Sequence, residues 1–167
     1  QREAAALQLL SNILGGSGAT SVLGEALEFA QKTAVYTAAF CTSQSLDPST
    51  FSLLAVPAPN VSLQEMEDAL DAEIAAFLEE GVDQVQLDRI KSQWRAAYIY
   101  ALDDVGSIAR RYGTALTQGL TVQDVEDWPD VIQSITAEEI VAAAEQLFDR
   151  NQAVTGWLTR PAEEVSQ

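Results

Sequence analysis

A chain of 167 residues has room for one domain with a proper core, and its balance of 47% hydrophobic to 20% charged residues excludes a disordered protein. Twenty-five acidic residues against nine basic ones give a formal net charge of −16, which repels phosphate backbones and anionic membranes, excludes nucleic acid as a partner and attracts basic peptides. There is no histidine, and with it go the serine- and cysteine-type triads, the ordinary zinc hydrolase site and the one side chain that titrates near neutrality.

In chain order, residues 2–14 place Ala5, Leu9 and Ile13, and also Ala6, Leu10 and Leu14, at helical spacing, and Gly15-Gly16 stops the run. Ser17 to Thr20 is a short polar loop. Ser21 is positioned to cap a second helix whose apolar stripe is Val22, Leu23, Ala26, Leu27 and Ala30. The pattern then changes: Thr33 to Ser43 and Phe51 to Val56 are rich in β-branched and aromatic residues. Between them SLDPST, with Asp47-Pro48 at its centre, has turn chemistry, so the stretch predicts an antiparallel hairpin ended by Pro57 and Pro59.

From Ser62 the chain is helical. Ser62 and Glu65 have capping-box spacing and open a helix that runs to Glu80 before Gly81. Asp83 or its neighbour starts a long helix through Tyr100, and Asp103-Asp104 cap one that reaches Leu116 or Gln118 before Gly119. Thr121 begins a short helix that Trp128-Pro129 is expected to interrupt. Thr136 and Glu139 form a second capping box, opening a helix to Phe148. Ala153 to Thr159 alternates as a strand would, ahead of a polar tail. A hairpin and one late strand with helices on one side predict an α+β fold, an antiparallel sheet covered on one face by helices. So thin a sheet, in a chain that enters helical sequence directly after Gln1, leads us to expect a piece of a longer polypeptide with at least one strand upstream.

The residues that could carry chemistry each have a plainer reading. Cys41 is the sole cysteine, so no intramolecular disulfide is possible; in an apolar run without a base to activate it, it reads as a buried inert thiol. Arg89, Lys91, Arg95, Arg110 and Arg111 cluster on two adjoining helices, where they either line a chamber for a substrate's carboxylates or neutralise nearby acids in surface ion pairs, the favoured reading. Trp94, Tyr98 and Ile99 recur at helical spacing, which fits packing better than a peptide-binding wall. Asp103-Asp104 and Glu138-Glu139 read as caps and not as metal ligands. Asn60-Val61-Ser62 matches a glycosylation sequon but sits where a helix cap belongs. Gly15-Gly16-Ser17-Gly18 lacks the preceding strand and the lysine of a phosphate loop. No apolar run approaches the roughly 18 residues that span a bilayer, so no membrane span is expected.

The stretch ALQLLSNILGGSGATSVLGEALEFAQKTAV resembles the C-terminal half of the M16 metallopeptidases, through Ile13-Leu14-Gly15-Gly16, Ser21-Val22-Leu23 and Gln31-Lys32-Thr33-Ala34-Val35. Matches continue in register at Glu79-Glu80-Gly81-Val82, at Gln86-Leu87-Asp88-Arg89-Ile90-Lys91, at Ile135 to Ile140, and at Gly156-Trp157-Leu158, which looks like a closing strand. The resemblance covers nearly the whole chain. It implies a single C-terminal, non-catalytic domain over 1–167, no zinc in this chain, and a zinc-bearing N-terminal half or partner subunit that hydrolyses peptide substrates in a shared chamber. The family's His-x-x-Glu-His motif would fall at Leu7, Leu10 and Ser11, none of which binds zinc, so neither catalytic nor metal-binding residues are expected here. The arginine and tyrosine with which many such halves grip substrate fall at Glu28 and Val35, with Tyr36 one residue on, so that role is not carried over. An inactive partner subunit or a scaffolding core-type protein is the alternative. Bacterial relatives imply a periplasmic location.

Overall fold

A computed structural model describes residues 1–42 and 50–159. Its elements are α1 (Arg2–Gly15), a π-helical segment (Gly24–Ala30), β1 (Ala34–Cys41), β2 (Phe51–Pro57), α2 (Leu63–Glu80), α3 (Gln84–Ala101), α4 (Val105–Thr117), α5 (Val122–Ser134), α6 (Ala137–Leu147) and a 3-10 turn (Arg150–Gln152). The expected turn at Asp47-Pro48 and the polar tail lie outside the described residues.

β1 and β2 form a two-stranded antiparallel sheet, as the composition of the two runs predicts. Thr37 lies opposite Ala55, Ala39 opposite Leu53 and Cys41 opposite Phe51, and these face the helices. Tyr36, Phe40, Leu54 and Val56 take the other face and stay between 40% and 54% exposed. A strand alternates faces every residue, so one face is covered and the other is open, apart from Ala38, which is 3% exposed beneath its neighbours.

α1 is the centre of the molecule. Ala5, Ala6, Leu9, Leu10, Ile13 and Leu14 are buried around most of its circumference, the mark of a helix enclosed by protein. It packs against β1, α3, α5 and α6. The crossing with β1 is so close that a Cβ on Gly15 would stand 2.1 Å from the backbone nitrogen of Ala39. Phe51 and Phe148 meet edge to face, 5.8 Å apart, tying β2 to the end of α6.

Local capping accounts for the helix starts. Ser62 with Glu65, Thr121 with Asp124 and Thr136 with Glu139 form reciprocal capping boxes, and Asp83 and Asp104 cap α3 and α4. The hydrogen bonds they accept lower the pKa of Glu65, chiefly through the Ser62 backbone N–H, and of Asp104, chiefly through the Ser107 hydroxyl. Gly81 closes α2 at φ +81°, a conformation that a side chain disfavours. Replacing Thr136 by Ala is expected to lower stability by about 1 kcal/mol; a urea unfolding midpoint equal to that of the parent would contradict this.

Three expectations are corrected. The second helix is π-helical over 24–30, where Gln31 N–H donates to the carbonyl of Ala26 five residues back, and Ala30 is exposed instead of lying on the buried stripe. α5 runs unbroken through Pro129. A proline in a helix interior costs about 3 kcal/mol, but Val125, Ile132 and the adjoining Ile135 are almost fully buried, and such burial stabilises by roughly 1.5–3 kcal/mol each. Finally, 153–159 is not a strand. Trp157 Nε1 donates to Glu67 on α2 at 2.9 Å, while Val154 and Leu158 stand 97% and 94% exposed. Alternation makes a strand only beside a ladder, and this segment lies against a helix.

Candidate functional site

The sequence positions that would carry the zinc motif are on α1 and point into packing. Leu10 is fully enclosed, Ser11 is 7% exposed and returns its hydroxyl to the carbonyl of Gln8, and Leu7 packs against the core. Two aliphatic side chains and a self-satisfied hydroxyl do not fit zinc. Among the described residues, no group of three or more His, Cys, Asp and Glu could hold a metal ion.

Glu28, to which the substrate-gripping role was not carried over, makes hydrogen bonds within the fold. It lies on the π-helical segment, and its Oε1 accepts from the backbone N–H of Thr37 at 2.7 Å and from the Thr37 hydroxyl at 2.6 Å. The carboxylate therefore satisfies a donor of β1 at a residue only 2% exposed. No local motif announces this pairing across nine residues. Glu28→Ala is expected to cost about 1–3 kcal/mol by leaving the buried donor unpaired. Glu28→Gln, which keeps an acceptor oxygen, should lose less. Equal melting temperatures for the two variants would contradict the role. Val35 and Tyr36 stand 57% and 49% exposed beside it.

Among the described residues, the basic cluster makes none of the expected surface ion pairs. Among the described residues the ion pairs are Arg2–Glu139 and Arg150–Asp71. Arg89 Nη2 instead donates to the carbonyl of Thr20 at 3.3 Å, beside Gln86 Nε2 at 2.7 Å, so α3 holds the loop after α1. Lys91 Nζ donates to the carbonyls of Gln133 and Ile135 at the end of α5, where the helix dipole favours a cation. The carbonyl of Lys91 in turn accepts from Gln133 Nε2 at 3.1 Å. The charged motif on α3 is thus a clamp on two neighbouring elements.

Arg111 is placed differently. Its guanidinium carbon lies 4.3 Å from the centre of the Tyr98 ring, which stacks on Trp94 at 5.5 Å. Trp94, Tyr98 and Arg111, with Trp128 and Gln8, line a cleft of about 330 Å³ between α1, α3, α4 and α5. A second cleft of about 260 Å³ shares Trp94 and Ala97 with it and reaches Asn12, Ser17 and Arg89. Trp94 and Tyr98 therefore wall a cavity, while Ile99 is 54% exposed. The carboxylates of Asp104 and Glu139 serve as caps, and Glu139 also accepts a bidentate pair from Arg2 at 2.7 Å. Cys41 is partly buried, which raises its thiol pKa and keeps it protonated and inert.

Residues 1–94 match the family model described as the peptidase M16 inactive domain. The chain is 28% identical over 162 residues to zinc protease PqqE of Helicobacter pylori, covering 94% of this chain and 35% of that one. A solved protease from Helicobacter pylori shares the fold with a TM-score of 0.83 at 23% identity, over 91% of this chain and 36% of the other. The inactive peptidase domain of a Bordetella parapertussis protein matches at a TM-score of 0.78 and 20% identity, over 90% of this chain and 80% of that one. The chain thus spans about a third of the length of the Helicobacter pylori proteins it matches.

Proposed function

The chain belongs to the M16 peptidase inactive-domain family, and from that premise we propose that it forms the non-catalytic wall of a peptide-hydrolysing chamber. The zinc-bearing wall lies upstream in the same polypeptide or on a partner subunit. The observation that carries this reading is the use of α1: where a catalytic copy would present ligands, this one presents Leu7, Leu10 and Ser11 to its own core. A chain with no histidine and that helix contributes shape and contacts, and the reaction belongs to its sister half. The name of the Helicobacter pylori relative, a zinc protease, supports the same assignment for the parent protein.

The test is reconstitution. Mixed with a zinc-bearing half, the chain should permit or accelerate cleavage of a fluorogenic peptide, whereas the purified chain alone should cleave nothing. Zinc-dependent hydrolysis by the chain alone would overturn the proposal. The scaffold reading is favoured by one observation, that Glu28 and Val35 occupy the positions of the substrate-gripping pair and Glu28 holds β1. A stable complex with a zinc-bearing half that never cleaves peptide would select it.

A further inference from the structure

The cleft between α1, α3, α4 and α5 is lined by indoles that also pack on the core and by one guanidinium that does not. Its walls are Trp94, Tyr98, Trp128 and Val125, its floor includes alanines of α3, and among the described residues its lone charged lining residue is Arg111. That guanidinium is held over Tyr98 and has no carboxylate or carbonyl partner among the described residues, in a chain where acids outnumber bases 25 to 9. Among the described residues, no acidic side chain lines the cleft. A guanidinium seated over a ring and not spent on an acid keeps N–H groups for a ligand, and its fork matches a carboxylate in two parallel hydrogen bonds.

We propose that this cleft binds the C-terminal residue of a peptide, its α-carboxylate on Arg111 and an apolar or aromatic side chain between Trp94 and Trp128. This rests on the chamber reading for the choice of a peptide as ligand. Size sets the first limit: about 330 Å³ lies at the low end of ligand cavities, roughly 300–1,000 Å³, and admits one or two residues but no folded partner. Charge sets the second. A polyanion would be repelled by a domain of net charge −16, whereas a basic peptide is drawn to it and brings a single terminal carboxylate. An Asp or Glu side chain would meet the guanidinium but leave the indole walls bare; a terminal Phe or Leu fills both.

The test is calorimetric titration of the 167-residue chain with acetyl-Lys-Lys-Ala-Phe as the free acid and as the C-terminal amide. The acid should bind at least about tenfold more tightly, since hydrogen bonds to a charged group are the stronger kind. Arg111→Gln should bring acid and amide to the same affinity while leaving the amide unchanged. Equal affinities for acid and amide on the parent chain, or no binding of either at millimolar concentration, would overturn the proposal, as would persistent discrimination in the Arg111→Gln variant. The parent comparison needs no variant to fold. Reconstituted peptidase activity is read separately: intact cleavage with no acid–amide discrimination sinks the pocket alone, and discrimination without cleavage sinks the chamber alone.

Discussion

Gly15→Ala should destabilise the chain by about 3 kcal/mol or more, while Gly113→Ala should stabilise it by about 0.5–1 kcal/mol. Both positions end up as alanine in a helix, and the opposite signs come from what surrounds them. At Gly15 a methyl group would meet Ala39 N at 2.1 Å, Ala38 C at 2.6 Å and Ala38 Cα at 2.9 Å, all backbone atoms of β1. Backbone cannot rotate aside as a side chain can, so α1 must lift from the strand, and the burial of Leu14 and Ile13 goes with it. At Gly113, within α4, nothing lies within 4 Å of the added carbon. There the only effects are the entropy the unfolded chain loses and the better helix propensity of alanine. For a domain of this size each kcal/mol moves the melting temperature by about 2–4 °C. A scan showing about 6 °C or more lost for the first variant and a gain for the second is the expected outcome; equal shifts would mean that α1 does not cross β1 this closely.

The second large effect is expected at Leu10, where the zinc-motif comparison would place a glutamate. Leu10→Glu removes a fully buried side chain, as Leu→Ala does at about 2–5 kcal/mol, and adds a carboxyl with no partner in an apolar enclosure. The group would stay protonated to avoid charge burial, so the loss should grow as pH rises from about 4 to 8. The same substitution combined with Leu7→His and Ser11→His rebuilds the motif's residue types and should still bind no zinc, because the helix face that carries them is packed against the rest of the core. A urea midpoint lower for Leu10→Glu than for Leu10→Ala, and lower at pH 8 than at pH 4, is the expected denaturation result. A folded triple variant that takes up zinc would show that α1 can turn its face outward.

The candidate site divides the same way between what neighbouring residues dictate and what distant ones do. The clustering of Arg89, Lys91 and Arg111 was legible because they lie on two consecutive helices, α3 and α4, but their uses were not. Arg89 and Lys91 found carbonyls of Thr20, Gln133 and Ile135, from 42 to 69 residues away, and carbonyls leave no charge signal in a sequence. Arg111 found Tyr98 and the indoles instead of an acid. Glu28 stands where the resemblance places a family arginine, and its carboxylate accepts from the Thr37 N–H and hydroxyl of β1, a use that no local motif signals.

Residue order alone determined the capping boxes at Ser62 and Thr136, the two strand segments, the stops at Gly15 and Gly81, and the want of any imidazole for zinc. Each depends on residue identities or on forces that act within about four positions along the chain. Tertiary structure decided the π-helical stretch before β1, the survival of α5 through Pro129, the docking of Trp157 on α2 where a strand was expected, and the seating of Arg111 over Tyr98 in an aromatic cleft. Those outcomes turn on which surfaces meet. A buried Ile132 can outweigh a broken hydrogen bond, and a ladder needs a neighbour, and neither quantity exists until the chain has folded.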